Sequence, residues 1–181
     1  MTNSNVVKMN EVLFSKLGEV VSGDERTDFL SRNLNNLALA YISFEQMIYK
    51  MAGEMSEDYK EGVWVCVQCK NGKGFFMYPS SGEFSIANAN YNSQYTVDNK
   101  TFGLLVTMMV SSHGSFIFQN NEAVCEAFGR NYQELRSQVF GLIDKLCYGD
   151  DEAEESPEIT VTTEQISELT ELSKAIYNYL D

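Results

Sequence analysis

Residues 62–79 read Gly-Val-Trp-Val-Cys-Val-Gln-Cys-Lys-Asn-Gly-Lys-Gly-Phe-Phe-Met-Tyr-Pro and leave few folding options. Two apolar runs, Val63 to Val67 and Phe75 to Tyr78, flank a turn. β-Branched and aromatic residues suit a pleated, half-buried surface. Asn71-Gly72 between the runs is a strong hairpin signal, because both residues tolerate positive φ. A longer loop using Lys73-Gly74 fits the spacing equally well, so the turn type stays open. Pro79 lacks an amide hydrogen and is expected to end the second strand. The hairpin holds the chain's only tryptophan and a dense group of aromatics, so it is expected to seed the core.

Helical periodicity surrounds this hairpin. Residues 6–21 place Val6, Val7, Met9, Leu13, Leu17 and Val20 at near-helical spacing, which predicts an amphipathic helix ended by Ser22-Gly23-Asp24. In 37–57 the residues Leu37, Tyr41, Phe44, Ile48, Met51, Ala52 and Met55 recur at three- and four-residue steps, the clearest helix in the chain. Glu45 borders that face as a carboxylate with its head in water. A third strand is expected over 83–87 and a fourth over 95–97, with the amide-rich 88–92 looping between them. Strands that follow one another this closely form an antiparallel meander most simply. Asp98 is expected to N-cap a helix that buries Phe102, Leu105, Val106, Met109 and Val110 and ends at His113-Gly114. Residues 115–118 read as a short extended patch, and 122–128 and 132–146 as two helices about a turn at 129–131. Thr162 with Gln165 forms a capping box for a last helix whose apolar face is Ile166, Leu169, Leu172, Ile176 and Leu180. The expected fold is α+β in a single domain: a small antiparallel meander of three to four strands packed by surrounding helices. Its body spans 1–149, an acidic mobile linker or insertion spans 150–161, and a C-terminal helix over 162–181 docks on the body.

Charge narrows the possible partners. The net charge is −13, and residues 150–181 carry −9 of it through ten acids against Lys174 alone. Such a chain repels phosphate backbones, so direct nucleic-acid binding is not expected, whereas a basic protein surface would be attracted. No run approaches the roughly 20 apolar residues that span a bilayer, and residues 1–10 lack a signal-peptide pattern, so a cytoplasmic protein without membrane contact is expected.

Motifs for chemistry are sparse. Cys66 and Cys69 form a Cys-x-x-Cys, but zinc needs further ligands and no second pair has suitable spacing. Positions i and i+3 of a strand point to opposite faces, which does not suit a redox pair, and buried structural cysteines are expected. His113, the single histidine, has no nucleophile or acid in a catalytic pattern with it. Walker, Rossmann, zincin and nucleophile-elbow patterns are missing. The residues therefore point to a binding protein with no catalytic residues, no metal and no cofactor.

The order of features resembles that of the ArdB/KlcA-type antirestriction proteins, small products of plasmids, phages and other mobile elements. The resemblance starts at Arg26, Phe29 and Leu30 and continues through Glu45, Tyr49 and Met51. It is best at Tyr59-Lys60-Glu61-Gly62-Val63-Trp64, similar to Tyr-x-Gly-Gly-x-Trp, and at 71–79, similar to Ser-Asn-Gly-Gly-Phe-Tyr-Met-x-Pro. Asn88-Ala89-Asn90 fits an Asn-rich strand end, Gly103 and Thr107 match a helix motif, Tyr132 to Arg136 matches Tyr-x-x-Leu-Arg, and Ala175-Ile176 with Leu180-Asp181 resembles the family's close. Glu61 stands where the family has the first of two glycines, and Lys73 interrupts the Gly-Gly of the turn.

This resemblance implies an α/β fold with a small antiparallel sheet, and relief of host type I restriction without cleavage or DNA binding. The mechanism expected from the residues is protein–protein interference with a host restriction–modification complex or an associated protein. Candidate partner-binding residues are Trp64, Phe75, Tyr78, Asn88, Asn90 and Asp181. Each also has a plain structural reading: aromatic core, turn former or frayed chain end. Two alternatives stay open. One is an acidic mimic of DNA that inhibits a DNA-binding protein, and the other is a thiol-redox protein using Cys66 and Cys69.

Overall fold

A computed structural model describes residues 6–88, 93–149 and 161–180. The elements in order are β1 (Val6–Val7), α1 (Glu11–Leu17), β2 (Gly18–Val20), α2 (Phe29–Asn33), α3 (Ala38–Met55), β3 (Trp64–Cys69), β4 (Phe75–Pro79), β5 (Glu83–Asn88), β6 (Ser93–Asp98), α4 (Asn99–Ile117), α5 (Glu122–Tyr148) and α6 (Thr163–Leu180). The class is α+β, as expected. The expected hairpins form, β3 with β4 and β5 with β6, but they belong to two three-stranded sheets ordered β2-β3-β4 and β1-β6-β5.

Residues 6–21 are not one helix. Val6 and Val7 pair in parallel with Thr96 and Val97, Asn10 caps the short α1 by accepting from the Val12 amide at 2.9 Å, and Gly18 to Val20 pair with β3. Strands of two or three residues are too short to show a period of their own, so their valines fell into the helical count. Gly18 is needed there: a Cβ would lie 2.6 Å from Val67 Cγ1 and 2.7 Å from the Gln68 carbonyl.

Helix α4 is the centre of the molecule. It buries residues on nearly every side, including Phe102, Leu104, Leu105, Val106, Met108 and Val110, the pattern of a helix enclosed by its neighbours. Asp98 caps it as expected, accepting from the Thr101 amide at 2.8 Å. The helix does not stop at His113-Gly114 but runs to Ile117, so 115–118 is not extended. Gly114 serves packing rather than termination, since a Cβ there would meet the Phe128 ring at 1.9 Å. Likewise α5 is continuous through Gly129. Neither glycine has positive φ, and one glycine costs a helix only about 1 kcal/mol.

The outer edge of β4 is closed by side chains instead of another strand. The Phe75 amide donates to Asn131 Oδ1 at 2.9 Å, and the Met77 amide donates to Thr107 Oγ1 at 3.1 Å. Thr107 in turn donates to the Met77 carbonyl at 3.2 Å, and Asn99 Nδ2 donates to the Pro79 carbonyl at 2.8 Å. Pro79, at the end of the strand, has no N–H to leave unpaired. This solves the edge-strand problem from within. Gly103 allows the close approach, because a Cβ would sit 2.2 Å from Tyr78 Cβ and 2.3 Å from the Met77 carbonyl. On the second sheet the Ser85 amide donates to Asp58 at 2.8 Å, which holds that carboxyl below its usual range.

The hairpin turn uses positive φ at Gly72 and Gly74 and is seated on α5, where Gln138 Nε2 donates to the Lys73 carbonyl at 2.8 Å. The aromatic core spreads from β4: Phe75 lies 5.3 Å from Phe29 and 5.1 Å from Phe44, and Phe84 stacks on Phe102 at 4.1 Å. Helix α6 buries Leu169, Leu172, Ala175 and Ile176. Lys8 binds Glu168 at 2.7 Å, and Tyr177 stacks on Phe140 at 4.4 Å. The capping box opens this helix as expected: the Thr162 amide donates to Gln165 Oε1 at 2.9 Å, and the Gln165 amide to Thr162 Oγ1 at 3.3 Å. The acidic stretch 150–160 lies outside the described residues.

Candidate functional site

Strand alternation turns Trp64, Cys66 and Met77 to one face of the β2-β3-β4 sheet. Two elements cover that face incompletely. The end of a short 3-10 helix (Gly23–Arg26), the turn at 27–28 and α2 form one wall and α3 forms the other, leaving a cleft of about 560 Å³. Phe29, Cys66 and Met77 make an apolar, sulfur-rich floor, with Gly62, Val63 and Trp64 at one rim. Tyr41, Glu45 and Tyr49 line the α3 side; residues four apart share one helix face.

Local folding explains the walls. Asn35 and Asn36, at φ 57° and 55°, reverse the chain between α2 and α3; asparagine tolerates this region better than most residues. Arg130 Nη2 donates to Asn35 Oδ1 at 2.6 Å, tying the reversal to α5. Asn33 Nδ2 donates to Gln68 Oε1 at 2.9 Å and so ties α2 to β3.

Arg26 is the notable charge. Its Nη2 donates to the Trp64 carbonyl, which fixes the guanidinium against the strand. Among the described residues no carboxylate pairs with it. Asp28, in the same wall, is held by Arg32 at 3.1 Å. Burial pushes the Tyr49 phenol up, and the negative charge of Glu45 adds to that, while Arg26 opposes it. Burial also pushes the Cys66 thiol up, against the opposing effect of Arg26.

Trp64 and Phe75 share the cleft-side face but are buried, at 2 % and 1 % exposure. The indole Nε1 of Trp64 donates to the Tyr59 hydroxyl at 2.9 Å, and its ring meets Tyr49 edge-on at 6.2 Å. Tyr78 lies on the opposite face against Phe14 at 5.9 Å. Asn88 ends β5 on the other sheet, paired with Ser93. Asn90 and Asp181 lie outside the described residues. Of the described candidates, Trp64 and Phe75 thus share one sheet face, Tyr78 lies on the opposite face and Asn88 on the other sheet. The groups that face solvent around Trp64 are Arg26, Glu45, Tyr49 and Val63. The four-residue steps of Tyr41, Glu45 and Tyr49 were the sequence signal for their shared face.

The cysteines do not form a redox centre. Cys66 and Cys69 sit on opposite faces of β3, both are buried, and both are free thiols. Burial raises Cys69 to about 12, whereas a reactive thiol needs its pKa lowered. His113 is exposed on α4. Among the described residues no three His, Cys, Asp or Glu side chains are grouped to hold a metal ion. Among those residues, too, no helix is long and apolar enough to cross a membrane.

An α+β domain with a sheet-floored cleft is a frame suited to binding. Residues 57–141 match the family model described as antirestriction protein. No curated protein matches the chain. The matched stretch runs from the approach to β3 into α5, taking in the hairpin, Gly103, Thr107 and Asn131. It covers just under half of the chain and supports an antirestriction family.

Proposed function

We propose that this protein relieves host type I restriction as an ArdB/KlcA-type antirestriction protein of a mobile element or phage. It acts in the cytoplasm, without catalysis, by binding a restriction–modification complex or a protein associated with it. The observation that carries this reading is the antirestriction match over 57–141, which holds the whole hairpin and the central helix packed on it. The cleft supports a binding role. Arg26, Phe29, Leu30, Glu45, Tyr49 and Trp64, six of the residues that carry the resemblance to that type, line it.

Plating tests the reading. Unmodified phage is plated on cells carrying an active type I system, with and without the protein. Restored plaque numbers with host modification unaffected are expected. Unchanged plaque numbers with folded protein present in the cells would refute the reading. Deleting 150–158 is expected to leave the relief intact, since interference through the cleft does not need those acids.

A further inference from the structure

We infer that the cleft between α2 and α3 binds a short peptide segment of the partner, one that presents a carboxylate to Arg26 and an apolar side chain to the floor at Cys66 and Met77. The inference rests on the protein-interference reading, which is why the occupant is a peptide segment. Three observations point to this chemistry. First, Arg26 has no carboxylate partner among the described residues, although acids outnumber bases twofold in the chain. Second, its bond to the Trp64 carbonyl holds it in place before any ligand arrives; a fixed guanidinium matches a carboxylate bidentately. Third, the floor is a thiol and a thioether, soft groups that adapt to an aliphatic or aromatic side chain. At about 560 Å³ the cleft has the size of sites that enclose a small ligand rather than a flat docking face. Val63, 60 % exposed at the rim, leaves it open for a chain to pass through. Asp28 does not compete for Arg26, because Arg32 engages it. Glu45 is the opposing charge, and it sets a limit on affinity that the test can read.

The single tryptophan provides the readout, since Trp64 lines the cleft. The probes are N-acetylated, C-amidated Leu-Glu-Leu, Leu-Gln-Leu and Leu-Lys-Leu, titrated while Trp64 emission is followed. The acidic peptide is expected to shift the emission saturably and to bind about tenfold more tightly than the lysine peptide. Arg26→Gln is expected to lose about tenfold for the acidic peptide alone. Glu45→Gln is expected to tighten it by about twofold to fivefold. Val63→Asp, on the exposed rim, is expected to weaken it without touching Arg26. No saturable change with any peptide, equal affinity for the three, or a preference for the lysine peptide that Glu45→Gln abolishes would each overturn the inference. The titration is independent of restriction. Peptide binding without restored plaques would leave the cleft assignment standing and remove the antirestriction reading. Restored plaques without peptide binding would do the reverse.

Discussion

The hydroxyl of Thr107 satisfies both hydrogen-bonding groups of Met77, accepting from its amide at 3.1 Å and donating to its carbonyl at 3.2 Å. One helix side chain thus replaces what a neighbouring strand would supply. Thr107→Val keeps the shape and removes both bonds. Each buried group left without a partner costs about 1–3 kcal/mol. Thr107→Ser keeps the hydroxyl and loses one methyl, about 0.8 kcal/mol. Urea unfolding is expected to rank the valine variant well below the serine variant, with unchanged m-values. Equal stabilities would mean that the hydroxyl contributes nothing.

Three helix glycines separate contact from propensity. At Gly103 an alanine Cβ meets the backbone of β4, which cannot rotate away. At Gly114 it meets the Phe128 ring, a side chain with some freedom to shift although it is fully buried. At Gly129 the nearest atom is 3.8 Å away, so alanine fits. Overpacking typically costs about 1–3 kcal/mol, while glycine to alanine in an open helix gains about 0.5–1 kcal/mol. The expected order of thermal stability is Gly129→Ala above wild type, then Gly114→Ala, then Gly103→Ala. Melting curves of the three variants check it.

What was legible in the sequence follows the range of the physics involved. The hairpin at 64–79, the α3 stripe, the Asp98 cap and the Thr162–Gln165 box are local, and the structure has each where expected. The N-terminal strands were not legible, because two and three residues carry no period and their partners lie at Thr96 and Cys69, far along the chain. Gly114 and Gly129 looked like breaks because local rules read glycine as punctuation. Their actual neighbours, Phe128 and Ser115, are on the facing helix. The cleft was legible only as scattered residues. Arg26, Glu45 and Trp64 meet because Asn35 and Asn36 reverse the chain, and nothing in the spacing announces that.

Thiol chemistry makes a sharp alkaline prediction. Cys69 is raised by burial from an ordinary value near 9 to about 12. Below pH 9 both folded and unfolded chains hold this proton, and its contribution is fully present. Between about 9 and 12 the unfolded chain releases the proton and the folded chain keeps it, so stability falls as pH rises, by about 1.4 kcal/mol per unit. Cys69→Ala removes that part of the slope. The difference between the unfolding midpoints of the two proteins is expected to stay constant below a pH of about 9 and to change as pH rises above it. Native alkylation at neutral pH is expected to spare both Cys66 and Cys69. Rapid labelling of either would revive the redox alternative.

Asn131 extends the argument from Thr107 to the whole β4 edge. Its Oδ1 accepts from the Phe75 amide and its Nδ2 donates to Ser111 Oγ, each at 2.9 Å, so one buried amide joins β4, α4 and α5. Asn131→Leu leaves the Phe75 amide and the Ser111 hydroxyl without these partners, and is expected to destabilise by about 1–3 kcal/mol per buried group. The double variant with Thr107→Val decides how the edge behaves. Phe75 and Met77 are two residues apart on the same strand edge, so once one anchor is lost the strand end frays and water reaches the other. The two losses are then less than additive, with a coupling of about 0.5 kcal/mol or more. A double-mutant cycle in urea measures it. Strict additivity would mean that β4 stays in place when either anchor is removed, held by β3 and the aromatic core alone.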